Sequence, residues 1–402
     1  MSTPVLSPGA DAPRRERPAS RIGALALPFD PLLAVAVVGL AAISLVAIAG
    51  ATDGDIPGSP DYFFTRQLTY FLVGGLVALL FWRIDYSRLR EIKVLCYGLM
   101  IALILLVFAL GSVSRGSRRA IDLPFFSFQA SELGKILLIV SLSAFAVDMT
   151  RRAADRRVTA RLLLLGLAPA ALVMLQPDLG SALVYVAITL TILMVVGVPW
   201  QHFAALGALA AVAVALSLLV LPAAGVNVLH DYQKERLTSF LHPSDVTGTE
   251  GYQQNQARIA IGSGEKTGRG EQATQTRYDF LPEHHTDFIF AVVGERWGFA
   301  GAALVLSLYA LLIWRGLRIL TLSKNLYGAL VAGGIVGMFL FQVVVNTGMT
   351  VGIMPITGIT LPLMSYGGSS LFASMIAVGL LQSIYARGRQ AAAGKGRVSP
   401  LQ

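Results

Sequence analysis

From residue 31 to residue 386 the chain returns repeatedly to runs of about twenty apolar residues separated by shorter polar stretches. A run of that length is what a helix needs to cross a hydrocarbon layer of about 30 Å. Within lipid every backbone N–H and C=O must be satisfied inside the protein, which leaves helices or a closed barrel. Barrel strands would alternate apolar and polar residues over segments of roughly ten residues, and these Leu, Val and Ala runs show no such alternation. Charged residues make up 14% of the chain, against about 25% in a soluble domain. The expected fold class is an all-α polytopic membrane protein.

Ten spans are expected, at about 31 to 51, 67 to 82, 94 to 111, 131 to 148, 162 to 176, 179 to 197, 203 to 221, 287 to 314, 328 to 349 and 366 to 386. With the N-terminus in the cytoplasm, 20 of the 32 Lys and Arg residues but 7 of the 23 acids fall on the inner side or in its tails. That asymmetry satisfies the positive-inside rule with both termini cytoplasmic. It accounts for the net charge of +9 as topology, with no nucleic-acid partner. Residues 1 to 28 carry four arginines and five prolines and read as a disordered cytoplasmic tail; residues 387 to 402 read as a short basic one. The first apolar run is too long for a signal-peptide core. Cys96 is the sole cysteine, so an intrachain disulfide is excluded.

This orientation puts residues 112 to 130, 222 to 286 and 350 to 365 outside. The large extracytoplasmic loop 222 to 286, between the seventh and eighth spans, is long enough to expect function in it. Tyr232 to Leu241 and Tyr252 to Ile261 have the spacing of short interfacial helices, and the four glycines of GSGEKTGRG, 262 to 270, break any helix there. The loop runs through Glu283, His284 and His285 into Asp287, expected in the first turn of the eighth span. An Asp there can simply favour the helix dipole, or act as a general base on a hydroxyl brought within reach. Adjacent histidines do not easily share one ion in regular structure, so no metal site is assigned.

Ionisable groups at membrane depth need a partner or a function. Glu132 and Lys135 stand at i, i+3 in SELGK and can form an ion pair, either as an anchor at the interface or as the lining of a polar cavity. Asp178 in QPDLGS is placed to cap the sixth span. In MPITGITLPLMSYGGSS the prolines and glycines interrupt the helical pattern, which is tolerated where backbone is buried or lines a cavity. The amides from Ser365 through Gly367, Gly368 and Ser369 open the last span, where they can cap it or bind an anion such as a diphosphate.

Together, SELGK, QPDLGSALV, GYQQNQARIAIGSG, FLPEHHTDFIFAVVGERWGFAG and LPLMSYGGSS resemble the SEDS family of shape, elongation, division and sporulation proteins, over about residues 31 to 386. HDYQKERLTSF and LPLMSYGGSS are more similar to its RodA (elongation) branch than to its FtsW (division) branch. The resemblance implies a ten-helix peptidoglycan glycosyltransferase that polymerises lipid II, the undecaprenyl diphosphate-linked disaccharide peptide, beside a class B penicillin-binding protein in the bacterial inner membrane. It implies that Asp287 is the essential aspartate, that Glu132 and Lys135 are the acid and base pair of the fourth span, and that Asp178 and Ser365 to Ser369 surround the central cavity. Lys135, Arg119, Arg236 or a divalent cation, Mg or Mn, are candidates to neutralise the diphosphate. The chain departs from the family at Ala120, where a Trp usually follows the Arg, and at Ala130, where the family usually reads QPSE. A lipid II transporter or flippase, a scaffold for the penicillin-binding protein and a division-branch polymerase are the competing readings.

Overall fold

The structure, a computed structural model, describes residues 28–52, 59–114, 117–122, 127–150, 155–215, 249–277 and 280–395. The helices are α1 (Pro31–Ala51), α2 (Tyr62–Arg83), α3 (Lys93–Leu110), α4 (Ala130–Met149), α5 (Arg156–Met174), α6 (Leu179–Val196), α7 (Trp200–Ala215), α8 (Thr249–Ser263), α9 (Ile289–Leu322), α10 (Leu326–Val351) and α11 (Gly368–Lys395). Among the described residues nine helices, α1 to α6 and α9 to α11, are long and apolar enough to cross a membrane. The one expected span missing from these nine is the seventh, 203 to 221, which corresponds to α7, of which 16 residues are described; the chain beyond it to 248, with Tyr232 to Leu241 and Arg236, lies outside the described residues. So does most of the expected N-terminal tail. The C-terminal stretch expected as tail continues as helix to Lys395, in keeping with its run of Ala. The connection between α3 and α4 departs from an all-helical reading: β1 (Ser112–Ser114), β2 (Ser117–Asp122) and β3 (Ser127–Phe128) form a small antiparallel sheet in the order β1-β2-β3.

Helix starts follow the sequence closely. Asp30, Asp155, Asp178 and Asn325 each cap a helix by accepting from a backbone N–H, of Leu33, Arg157, Ser181 and Gly328 respectively, the bond that satisfies a donor left over in a first turn. Helices α4, α10 and α11 are the most buried, whereas α2 and α3 turn most of their surface outward. Tight contacts join the central helices: a Cβ on Gly334 of α10 would approach Ile139 of α4 to 3.0 Å, and one on Gly379 of α11 would lie 2.5 Å from the Ala78 carbonyl of α2. Glu132 and Lys135 of α4 are buried among protein side chains.

The end of the bundle carrying the basic connections is laced by ion pairs. Asp30, fully buried, accepts from Arg315 Nε at 3.0 Å, and its backbone exchanges two hydrogen bonds with Gln382. This ties the ends of α1, α9 and α11 together. Arg90 and Lys93 both pair with Asp148, and Lys324 pairs with Asp85 at 3.3 Å. Burial alone would raise the Asp85 pKa, but the Ser87 amide and Lys324 outweigh it and hold the carboxyl below the usual carboxylate range. Its stabilisation is then complete above the unfolded value of about 3.9 and is lost as pH falls through the lower folded value. Because the pair is partly exposed, Lys324→Ala is expected to cost no more than about 1 kcal/mol, read as a small drop in Tm at pH 7 that narrows at pH 3.

Candidate active site

The polar residues singled out in the sequence gather at the opposite end of the bundle, around the irregular segment 352 to 367. Asp287 lies in a compact turn just before α9, two residues ahead of the helix start at Ile289, with Phe288 at the cap making no side-chain capping bond. It is thus not in the first helical turn. The turn is built on Glu283, whose φ of 58° is left-handed. The Glu283 carbonyl accepts from the amides of Thr286 at 3.1 Å and Phe288 at 3.2 Å, and its carboxylate accepts from Thr286 Oγ1 at 2.7 Å. Beneath the turn, Leu281 and Phe288 are buried against Ala257 and Ala260 of α8, Ala291, Met349 and Ile356. So Tyr252 to Ile261, expected as an interfacial helix, is within α8 and supports this loop.

Three successive carbonyls of the turn are gripped from distant parts of the chain. Tyr366 N–H donates to His285 O at 2.9 Å, Ser365 Oγ to Thr286 O at 2.6 Å, and Asn346 Nδ2 to Asp287 O at 2.8 Å. Asn346 is fully buried and also donates to Ile359 O at 2.8 Å. The backbone of Asp287 is therefore fixed while its carboxylate faces Gly358, where a Cβ would stand 3.5 Å from Oδ2. Gly358 has a φ of 71°, a conformation that glycine adopts without strain. Asn346, in the middle of an apolar run, carried no motif and was not anticipated; its polar amide among apolar neighbours was the available signal.

The same segment meets α6 on its other flank, since a Cβ on Gly180 would lie 2.6 Å from Thr357 O. At that point Asp178 Oδ1 caps α6, and Oδ2 accepts from Gln129 Nε2 at 3.0 Å and Ser131 Oγ at 3.3 Å. Tyr185 OH donates to Ser131 O at 3.0 Å. One turn into α4, Glu132 and Lys135 form an ion pair at 2.7 Å with both side chains buried. The hydroxyl of Ser369 donates to Ser127 O at 2.8 Å and accepts from Gln129 N–H at 3.0 Å, so the start of α11 is sewn to the start of α4. Ser365 Oγ also accepts from Leu361 N–H at 2.8 Å. These two hydroxyls thus make structural bonds, and an anion at this helix start would be met by the amides around Gly367 and Gly368. Arg119 stands in β2, with its side chain outside what is described, and Arg236 lies outside the described residues altogether.

His284 is buried with Nδ1 3.0 Å from Leu281 O, and the His285 ring packs 4.8 Å from Phe63 and 5.7 Å from Tyr366. Among the described residues no three His, Cys, Asp or Glu side chains gather in a metal-binding group.

A second feature escaped the sequence reading. Helix α9 is broken at Gly298, with φ 62° and ψ −154°, and the break frees amides that a continuous helix would satisfy. The glycine-rich loop after α8 supplies the acceptors: Phe299 N–H donates to Glu265 O at 2.9 Å and Ala300 N–H to Lys266 O at 3.1 Å. In return Arg269 N–H donates to Glu295 O at 2.8 Å, and the fully buried Glu295 carboxylate accepts from Gln275 N–H at 2.8 Å. Close approach requires the glycines, because a Cβ on Gly264 would lie 1.9 Å from Gly294 O and one on Gly268 2.1 Å from Arg296 O. Gly268→Ala, also at φ 84°, is expected to destabilise by about 1–3 kcal/mol, seen as a lower Tm. Gly262→Ala, whose Cβ meets nothing within 4 Å inside α8, should be neutral or slightly stabilising.

A multi-pass helical bundle that gathers a backbone-anchored aspartate, a buried acid–base pair and capped irregular backbone at one end has the make-up of a membrane enzyme. The chain belongs to the Cell cycle protein family of FtsW, RodA and SpoVE, whose model matches residues 29–390. It is 34% identical over 363 residues to Stage V sporulation protein E of Bacillus subtilis (strain 168), covering 88% of this chain and 96% of that one. It is 35% identical over 359 residues to Peptidoglycan glycosyltransferase MrdB of Escherichia coli (strain K12), covering 89% and 93%. Relatives named FtsW match at 33% and 34%, so similarity does not separate the branches. Among solved structures, a chain from a study of the structural coordination of polymerization and crosslinking by a peptidoglycan synthase complex superposes with a TM-score of 0.75 at 32% identity, covering 91% of this chain and 100% of that one.

Proposed function

We infer that this protein is a peptidoglycan glycosyltransferase that polymerises lipid II into β-1,4 glycan strands, in the service of cell-wall elongation and cell shape. The observation that carries the reading is the Asp287 turn, whose backbone is fixed by three long-range hydrogen bonds while its half-buried carboxylate faces Gly358. A base must be held in place to act on a substrate hydroxyl. Asp287 takes the proton of the acceptor 4-hydroxyl as that oxygen attacks the anomeric carbon of the donor. The C1–O bond to the diphosphate breaks on the opposite face, so the α-linked donor becomes a β-linkage, as in inverting sugar chemistry. Charge builds on the leaving diphosphate, and Lys135, with Arg119 and Arg236 from the external connections, is the protein's means of stabilising it. A divalent cation, Mg or Mn, would arrive with the diphosphate as its counter-ion; the described residues offer no three-ligand site for it, and no step is assigned to it.

The protein resides in the bacterial inner membrane with both termini cytoplasmic, which puts the site at the outer headgroup level where lipid II presents its sugars. A class B penicillin-binding protein is its partner. An apolar groove of about 530 Å³ beside α8, α9 and α10, where Phe299, Leu306, Val344 and Ile353 flank the small Gly294 and Gly348, suits an apolar transmembrane helix of that partner, which would pack its side chains into the groove.

The test is reconstitution in liposomes with fluorescent lipid II, with and without the partner. A polymerase accumulates glycan strands without changing the leaflet distribution of unreacted lipid II. Redistribution between leaflets with no polymer would replace this reading by transport.

A further inference from the structure

The turn that carries Asp287 meets the segment 352 to 367 along two stretches. Toward its far end the segment is held by buried side chains from three helices: Tyr309 OH of α9 donates to Pro362 O, Ser44 Oγ of α1 to Met364 O and Gln67 Nε2 of α2 to Ser365 O. Ser365 and Tyr366 in turn donate to the carbonyls of residues 286 and 285. Where the Asp287 carboxylate faces Gly358, the joining bonds come from Asn346 of α10, whose Nδ2 stands 2.8 Å from both Asp287 O and Ile359 O. An amide nitrogen carries two hydrogens, and Asn346 spends both on this bridge. Its Oδ1 is buried with no hydrogen-bond partner among the described residues, which is a cost to stability. A Ser or Thr hydroxyl would strand no such acceptor but could donate to only one of the two carbonyls. What the amide adds is the double link.

That link borders an open space. Outside its chain neighbours, a Cβ built on Gly358 would meet Asp287 Oδ2 at 3.5 Å and no other described atom within 4 Å, so the bare backbone of Gly358 leaves room directly beside the carboxylate. Ile359, whose carbonyl Asn346 holds, is the next residue, and the same nitrogen therefore fixes both walls of the gap. We propose that Asn346 is a positioning residue for glycan polymerisation: it sets the spacing between the Asp287 carboxylate and Gly358, and the acceptor 4-hydroxyl enters through the space over that glycine. This rests on the reading of Asp287 as the general base and adds what sets its reach. A misplacement of about 1 Å costs up to about a hundredfold in rate. Without Asn346 the turn keeps its bonds to Ser365 and Tyr366 and loses those at the Gly358 end, so the carboxylate pivots away from the gap.

Full-length Asn346→Ser, Asn346→Gln and Gly358→Asn are measured beside wild type, with the partner, for kcat and KM on lipid II, for Tm and for hydrogen exchange of the peptide covering residues 283 to 288. In Asn346→Ser, kcat is expected to fall about tenfold to a hundredfold with KM within about twofold, and the turn to exchange about tenfold faster while the protein stays folded. Asn346→Gln, which keeps both hydrogens on a longer arm, should recover part of kcat. Asn tolerates the left-handed conformation that Gly358 adopts at φ 71°, so Gly358→Asn fills the gap and leaves Asn346 in place; it should lose rate with the exchange of the turn unchanged. Wild-type kcat in folded Asn346→Ser overturns the proposal, as does a KM that rises in step with the fall in kcat, which would make Asn346 a support of substrate binding. Should Asn346→Ser not fold, a wild-type rate in Gly358→Asn overturns it. No polymer from wild type sinks the polymerase reading and this proposal together, whereas wild-type polymer with an unchanged rate in Asn346→Ser sinks the proposal alone.

Discussion

Replacing Asp287 by Asn or Ala is expected to slow glycan polymerisation from lipid II by roughly 10²–10⁴-fold, the usual contribution of a positioned general base. The expectation is sharp because the anchors of the turn are made by its backbone. Asn346, Ser365 and Tyr366 donate to the carbonyls of residues 287, 286 and 285, and none of these bonds uses the Asp287 side chain. The variants should therefore keep the wild-type Tm, within about 1 kcal/mol of stability, and should still bind lipid II. A lower kcat with KM nearly unchanged is the corresponding kinetic signature. Wild-type rates in Asp287→Asn would remove the base from this position.

Lys135→Ala is expected to do damage of a different kind. Its ammonium and the Glu132 carboxylate are both buried in α4 and 2.7 Å apart. Removing one partner strands the other charge, at a cost of about 3–5 kcal/mol, so this variant should show a large loss of Tm and poor yield. The double variant Glu132→Gln/Lys135→Met leaves no bare charge and should recover most of that stability, since buried pairs add little net stability over well-packed neutral side chains. If the pair serves the substrate, the recovered protein remains inactive. A double variant that is both stable and fully active would reduce the pair to packing.

Much of the architecture was legible because lipid imposes length and apolarity on every span. The cap at Asp178 and the polar-to-apolar seam at Asp287 could be read locally, since each depends on residues within a few positions. What could not be read depends on distance along the chain. Asn346 reaches back 59 residues to Asp287 and Ser365 reaches 79 to Thr286, and no local pattern encodes such pairings. The break at Gly298 was hidden because GFAG continues an apolar run, and hydropathy does not register a φ of 62°. Its counterpart, GSGEKTGRG, was read only as a helix stop; its glycines are there to admit the backbone of α9. The short strands at 112–128 were overlooked in a connection taken as a loop, since strands of three, six and two residues leave little periodicity to find.

The most direct measurement is the product itself. Purified wild-type protein with its class B partner is incubated with lipid II, the products are resolved by length, and the polymer is treated with a muramidase specific for β-1,4 linkages. A ladder of long strands that the muramidase reduces to disaccharide units is the predicted result. No polymer from folded, partner-bound protein, or a polymer resistant to the muramidase, would contradict single inverting displacement at Asp287.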